Sequence, residues 1–255
     1  MCPYVDRIGK SVEIVELMHP SQEHIVKILE VVQETPKIRL LRVERPAGVE
    51  FFAGQFFMVS LIDDPEVKLG RAYSVASSPE NKKHIEIGFD KIGLFTAKLF
   101  ELKVGDTLKF KGPYGKFFFD ESFAGEIVLI GAGTGVTPLM SIARQCANKK
   151  LPNTVKLLYS VRVPEEIAYA KELAEIKKHR PHFHYEATIT RLEESSQKWD
   201  GKVGRIDEAL LKNTIHHRHN CLVFICGAKE FVVSMIEILQ KIGVSKEHIK
   251  TDVWG

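Results

Sequence analysis

The stretch "EIVLIGAGTGVTPLMSI", residues 126–142, decides the fold. Its first part, Ile127 to Ile130, is a short apolar run of the kind a buried strand needs. Gly131, Gly133 and Gly135 then form a loop whose backbone can approach a ligand closely. "PLMSIARQCANKK" follows with helical spacing. Thr137 is expected to cap that helix and Pro138 to take its first helical position. A strand, a glycine turn and a helix N-terminus offer unpaired amides to an anion, and a diphosphate is the natural guest. The loop departs from G-x-G-x-x-G, because Val136 stands where the third glycine would be. An acidic residue about 20 positions on is also missing. The next strand ends instead in Ser160, Val161 and Arg162.

Downstream of this stretch the rhythm repeats. "TVKLLYSVR" precedes "PEEIAYAKELAEIKKH", "HFHYEATITR" precedes "RIDEALLKN", and "CLVFICG" precedes "KEFVVSMIEILQKIG". Strands alternating with helices predict a parallel α/β sheet. Upstream, "HIVKILEVVQ", "IRLLRVERP", "QFFMVSLI", "AYSVAS", "HIEIGFD" and "TLKFKGP" are short strands separated by turn chemistry. They predict an all-β barrel or sandwich, interrupted by one helical stretch, "LFTAKLFEL". The expected division is an N-terminal extension of unassigned role over 1–22, an all-β domain over 23–122 and an α/β domain over 123–255. "SVEIVELM" in the extension fits a strand or a short helix.

Composition bounds the function. A net charge of +3 on 255 residues gives no argument for nucleic acid or a membrane surface. No apolar run is long enough to span a bilayer, and the start lacks a signal-peptide apolar region, so cytoplasm is the expected location. Cys2, Cys146, Cys221 and Cys226 have neither CxxC nor iron–sulfur spacing, so neither a cluster nor a disulfide is expected. The histidines of "HHRH" and "HFH" lack metal-ligand spacing and read as solvated side chains, so no metal is expected.

One stretch resists a purely structural reading. In "LGRAYSVASSP", residues 69–79, Arg71 shares a strand face with Leu69, Tyr73 and Val75. With "GLFT", "GPYGKF", "GAGTGVTP", "YSVR", "ICG" and an aromatic near the end, it forms an ordered set. That set resembles the ferredoxin–NADP reductase superfamily of flavoproteins, nearest its bacterial branch, over about Val26 to Trp254.

The resemblance implies an all-β antiparallel FAD-binding barrel followed by an α/β parallel-sheet NAD(P)-binding domain. It implies that Arg71, Ala72, Tyr73 and Ser74 line the FAD site. Arg71 would meet the diphosphate, Tyr73 the flavin ring, and Ser74 the region of flavin N5. Gly93, Leu94, Phe95 and Thr96 match the second phosphate segment. Gly133, Thr134, Gly135 and Thr137 would take the nucleotide diphosphate. Cys226 and Gly227 would lie beside the nicotinamide. Ser160, Arg162, Tyr169, Arg191 and Arg205 match positions at the adenosine end, and the arginines favour NADP(H) over NAD(H). Trp254 would stack on the flavin, with Asp252 as the carboxylate before it, although glutamate is more usual there and Gly255 extends past the aromatic. The implied catalytic set is Ser74, Cys226, Asp252 and Trp254.

The implied activity is hydride transfer between NAD(P)H and flavin, and single-electron exchange with a carrier such as ferredoxin or flavodoxin. A diaphorase or oxygenase-reductase subunit is the nearest alternative. A non-catalytic nucleotide-binding regulatory module is the alternative from another class. The sequence leaves the oligomeric state open.

Overall fold

The computed structural model describes residues 21–254. "SVEIVELM", Cys2 and Gly255 lie outside the described residues.

Six antiparallel strands come first: β1 (Gln22–Gln33), β2 (Ile38–Glu44), β3 (Phe56–Ser60), β4 (Arg71–Ser74), β5 (His84–Asp90) and β6 (Thr107–Tyr114). Their order is β4-β3-β6-β1-β2-β5. A bridge between Val75 and Ile87 joins the two ends, and the Ala76 amide donates to the Glu86 carbonyl at 2.8 Å. The sheet therefore closes into the expected barrel and leaves few edge groups open. Alternation puts Val26, Ile28, Leu41, Val43, Phe57, Val59 and Ile87 inside. Helix α1 (Leu94–Glu101) crosses between β5 and β6 and packs Phe95 and Leu99 onto that core.

A parallel sheet follows, built from β7 (Glu126–Ala132), β8 (Val155–Val161), β9 (Phe183–Ile189), β10 (Lys202–Val203), β11 (Cys221–Ala228) and β12 (Ile249–Trp254). Helices α2 (Val136–Asn148), α3 (Ala170–His179), α4 (Glu208–Thr214) and α5 (Lys229–Lys241) connect and cover it. The order is β10-β9-β8-β7-β11-β12. β7 is central and buried from Glu126 to Gly131, which is why its sequence is an unbroken apolar run rather than an alternation.

After β7 the chain moves to β8 on one side, and it returns later to β11 on the other. The carboxyl ends of β7 and β11 therefore flank the switch point of the sheet, where ligands of open α/β sheets bind. Register places Tyr159, Gly131, Cys226 and Asp252 in one row across β8, β7, β11 and β12.

The two sheets share a core. Ile38, Leu40, Ala53 and Ala76 of the barrel side cluster with Leu139, Met140 and Ala143 of α2 and Phe224 of β11. Phe117 and Phe119 meet the Phe224 ring edge-on, at centroid distances of 5.3 and 6.4 Å. Burial of that aromatic surface stabilises the docking of the two sheets.

The start of α2 differs from expectation. Gly135 occupies the cap position and no side chain caps the helix. Thr137 is inside the first turn, and its hydroxyl donates to the Thr134 carbonyl at 2.8 Å instead of accepting from an amide. Pro138 is the third helical residue, still within the turn whose N–H groups have no helical partner, so its missing N–H costs nothing there. The preceding residues 133–135 form a tight 3-10 turn, which shifts the helix start by a residue or two.

Candidate functional site

The barrel side of the site is built on β4. Pairing with β3 sets Ser74 opposite Phe56 and Arg71 opposite Val59. Arg71 is exposed and forms no ion pair among the described residues. Its guanidinium donates only to the carbonyls of Gly70, at 3.1 Å, and Leu69, at 3.4 Å. It stands 5.9 Å from the centre of the Phe95 ring, which fixes it beside the start of α1. Gly93 caps that helix with φ 108°, and no side chain takes up the first-turn amides. A Cβ at Gly93 would meet nothing within 4 Å.

A forked cation without a carboxylate, next to open helix amides, is a donor set suited to a diphosphate. The residues present therefore fit the flavin nucleotide at this end. The Thr96 hydroxyl accepts from the Ile92 amide at 2.7 Å and donates to the Gly93 carbonyl at 3.2 Å. It shapes the turn, and its proton is already engaged. Tyr73 lies nearly parallel to Phe95, with centroids 6.0 Å apart, and edge-on to Phe89 at 5.9 Å. Burial, with the field of Asp90, pushes its phenol above the usual range, so it remains a neutral aromatic wall.

The glycine loop lies across the sheet end. A Cβ on Gly135 would be 2.2 Å from the Cys226 carbonyl oxygen and 2.9 Å from the Gly227 nitrogen. Only glycine lets this turn lie directly on the end of β11. Gly133 has φ 54°, and the Tyr159 hydroxyl donates to its carbonyl at 2.9 Å. Tyr159 was not singled out in the sequence, although its place in the "YSVR" strand end beside the loop was a usable signal. Trp254 brings its Cζ2 to 4.0 Å from a Cβ built on Gly133. Its indole thus lies against the glycine loop at the mouth of the site.

Between these two halves Ser74, Cys226 and Asp252 meet. The Ser74 hydroxyl donates to Asp252 Oδ2 at 3.3 Å, and the Cys226 thiol donates to the same oxygen at 3.9 Å. Ser74 comes from the barrel, and the other two come from adjacent parallel strands in register. Burial raises the Asp252 carboxyl, and the bonds from Ser74 and Cys226 partly offset it. Burial pushes the Cys226 thiol well up, and the Asp252 charge adds to that. A thiol so held stays protonated, so it can donate a hydrogen bond but is no nucleophile. The group can position a planar ring and hold a proton at the Asp252 carboxyl.

The exposed Arg162, Arg191 and Arg205 follow the carboxyl ends of β8, β9 and β10. The Arg191 amide donates to the Arg162 carbonyl at 2.8 Å, and the Gly204 amide donates to the Ile189 carbonyl at 2.8 Å, so the segments carrying Arg162, Arg191 and Arg205 adjoin. Arg191 pairs with Glu194 at 3.0 Å, an exposed contact of little strength. Ser160, half-buried, is the next-to-last residue of β8, just before Arg162.

Tyr169 is elsewhere. It is buried with left-handed φ 59°, its ring 5.1 Å from the Arg144 guanidinium carbon, facing Gly88 of the barrel. The expectation at the adenosine end is corrected: Tyr169 belongs to the seam between the sheets. Its neighbour Ala168 is buried too, so this turn packs inward.

Residues 22–119 match the family described as the oxidoreductase FAD-binding domain, and residues 129–237 match the oxidoreductase NAD-binding domain. The chain is 28% identical over 224 residues to reductase component 1 of terephthalate 1,2-dioxygenase from Comamonas sp., covering 86% of this chain and 65% of that one. It is also 28% identical over 237 residues to the glycine betaine monooxygenase reductase subunit of Chromohalobacter salexigens, covering 91% and 64%. The chain thus spans under two-thirds of the length of these relatives.

Among solved structures, a ferredoxin NADP+ reductase from Neisseria gonorrhoeae with bound FAD and NADP superposes with a TM-score of 0.77 at 26% identity, covering 91% of this chain and 98% of that one. An Amycolatopsis cytochrome P450 reductase gives a TM-score of 0.83 at 23% identity, covering 96% and 72%, a likeness of fold alone.

Proposed function

We propose, for a chain that belongs to the ferredoxin-reductase-like superfamily of FAD- and NAD-binding oxidoreductases, that it moves electrons between NADPH and a protein carrier through bound FAD. One observation carries this reading. The Ser74–Asp252–Cys226 group joins the strand that bears Arg71 and Tyr73 to the sheet end that bears the glycine loop. A diphosphate cradle on each side, with a buried polar group between, is an arrangement for bringing two nucleotides' reactive rings face to face.

When bound, the flavin accepts a hydride and passes electrons on singly. The chain's residues do the rest. Arg71 and the first amides of α1 anchor one nucleotide, while the glycine loop and α2 anchor the other. Ser74 offers a hydroxyl toward the ring edge, and Asp252 holds or releases a proton there. Cys226 and Gly227 let a second ring approach closely. Tyr73 and Trp254 supply apolar faces. Arg162, Arg191 and Arg205 form a cationic end without an acidic residue at the end of β8, which supports NADP(H) over NAD(H).

The described residues include no helix long and apolar enough to cross a membrane. A cytoplasmic location is part of the reading. The electron partner is a ferredoxin or flavodoxin, or an oxygenase component of the kind the relatives' names indicate.

The purified protein tests this directly. The expected result is a yellow, FAD-containing preparation whose flavin band bleaches when NADPH is added without oxygen. A colourless protein that cannot be reconstituted with FAD would support the regulatory-module alternative instead.

A further inference from the structure

The seam between the two sheets holds a buried ionic group that the hydride chemistry does not use. Arg144, on α2, donates Nε to Glu172 Oε1 at 2.7 Å and Nη2 to Glu172 Oε2 at 2.6 Å, a two-pronged pair with α3. Its Nη1 reaches into the barrel, donating to Glu86 Oε1 at 2.7 Å and to the Ala76 carbonyl at 2.8 Å. Glu86 is 1% exposed. Its other oxygen accepts from Arg42 Nε at 2.7 Å. Burial alone would raise the Glu86 carboxyl, but Arg144 and Arg42 hold it below its usual range, so it is ionised.

A second tie runs parallel to the first: the Ser141 hydroxyl donates to the Ser77 carbonyl at 2.7 Å. A third lies at the edge of the seam, where the Tyr169 amide donates to Glu34 Oε1 at 2.6 Å and Lys37 pairs with Glu166.

The placement of the first two ties matters. Ala76 and Ser77 follow, after Val75 alone, the β4 segment that carries Arg71, Tyr73 and Ser74. Ser141 and Arg144 lie on the helix that begins at the glycine loop. The backbone holding one nucleotide is therefore pinned to the helix holding the other. Any hinge or slide between the sheets must break the fork to Glu86 and Ala76 and leave Glu86 buried with one cation fewer. Such a loss is costly, so the pinned arrangement is favoured over its alternatives.

We infer that Arg144 is a positioning residue that sets the spacing between flavin and nicotinamide by locking α2 onto the end of β4. Loss of the lock lets the two rings drift from reacting distance while each nucleotide still binds its own cradle. This rests on the function proposed above, and its test separates the two.

The experiment uses the full chain as purified, comparing wild type with Arg144→Lys and Arg144→Met. Lysine keeps the charge but cannot fork to Glu172, Glu86 and the Ala76 carbonyl together. Three readouts are taken: NADP+ affinity from flavin difference absorbance, the rate of flavin bleaching at saturating NADPH, and amide hydrogen exchange over residues 74–78 and 136–144. Both variants are expected to bleach about 10- to 100-fold more slowly per bound flavin, the upper end being the cost of a misplacement near 1 Å. NADP+ affinity should be unchanged, and exchange in both segments should speed up.

A purely structural role would lower flavin content and Tm but leave the rate per bound flavin intact, and that result overturns the inference. So does wild-type protection of residues 74–78 in either variant. If Arg144→Met fails to fold, Arg144→Lys and Ser141→Ala carry the same three readouts. If the protein binds no flavin, the function falls, and the exchange data alone decide whether Arg144 locks the seam.

Discussion

Helices α1 and α2 both begin without a side-chain cap, at opposite sides of one site, and their glycines serve different ends. At Gly93 the surroundings are open, and glycine is needed for φ 108° with extended ψ. At Gly135 the backbone has ordinary helical φ, and glycine is needed because the Cys226 carbonyl leaves no room for a Cβ. One turn is shaped by conformation, the other by contact. The barrel cradle is therefore open and its cation exposed, whereas the glycine loop is part of the sheet's packing. Nucleotide affinity and fold stability should separate on the barrel side and move together on the sheet side.

The sharpest way to break that contrast is to put alanine at both positions. Gly135→Ala forces α2 away from β11 and is expected to cost about 3 kcal/mol, the upper range for overpacking, with nucleotide binding lost as well. Gly93→Ala is expected to cost about 1–2 kcal/mol from backbone strain alone, leaving the sheet domain's nucleotide binding intact. Urea unfolding and NADP+ titration of the two variants check this, and equal losses in both would abolish the distinction.

Arg71→Ala probes the open side without touching the core. Charged hydrogen bonds are worth about 1.5–3 kcal/mol, so FAD affinity should fall by about one to two orders of magnitude. The Tm of the flavin-free protein should not move, because Arg71 is exposed and forms no ion pair among the described residues. Flavin release followed by fluorescence measures the first, and thermal unfolding measures the second.

Beyond the carboxyl ends of β8 and β9, Arg162→Ala and Arg191→Ala are expected to raise KM for NADPH by about tenfold, with KM for NADH nearly unchanged. Steady-state kinetics with both nucleotides decides it. Equal losses with both would remove these arginines from a 2′-phosphate site.

The smallest expected effect is on stability at the junction. The folded Asp252 carboxyl is raised above its unfolded value, so the folded state binds its proton more tightly. Its contribution is most favourable below the unfolded pKa and declines as pH rises from there to the folded pKa. Asp252→Asn removes that decline. The variant is expected to gain stability relative to wild type at pH 7 and to gain little near pH 3, as read from Tm against pH. A constant difference across pH would mean that the carboxyl is not raised.

Much of this was legible in the residues. The apolar run of β7, the glycine turn and the strand–helix alternation each carry a local signature, and each forms where expected. Ser74, Cys226 and Asp252 were implied by likeness, and the structure brings them within hydrogen-bonding reach of one another. Two readings failed for local reasons. Thr137 bonds to nearby backbone instead of capping α2, because a hydroxyl in a tight turn finds a partner within a few residues. Tyr169 turns inward, where Gly88 across the seam leaves space for its hydroxyl.

Arg144 was missed because a partnership with Glu86 spans 58 residues and two sheets. Its one local sign is that Ser141 and Arg144 put polar groups three apart on a largely apolar helix.

The account's central claim is that hydride moves at the Ser74–Asp252–Cys226 junction. The direct measurement is anaerobic stopped-flow bleaching of the bound flavin by NADPH, wild type against Ser74→Ala, at saturating nucleotide. The expected result is a rate lower by about 10- to 100-fold, with flavin content and NADP+ affinity preserved. Bleaching at the wild-type rate, with the flavin still bound, would contradict the claim and place the chemistry elsewhere.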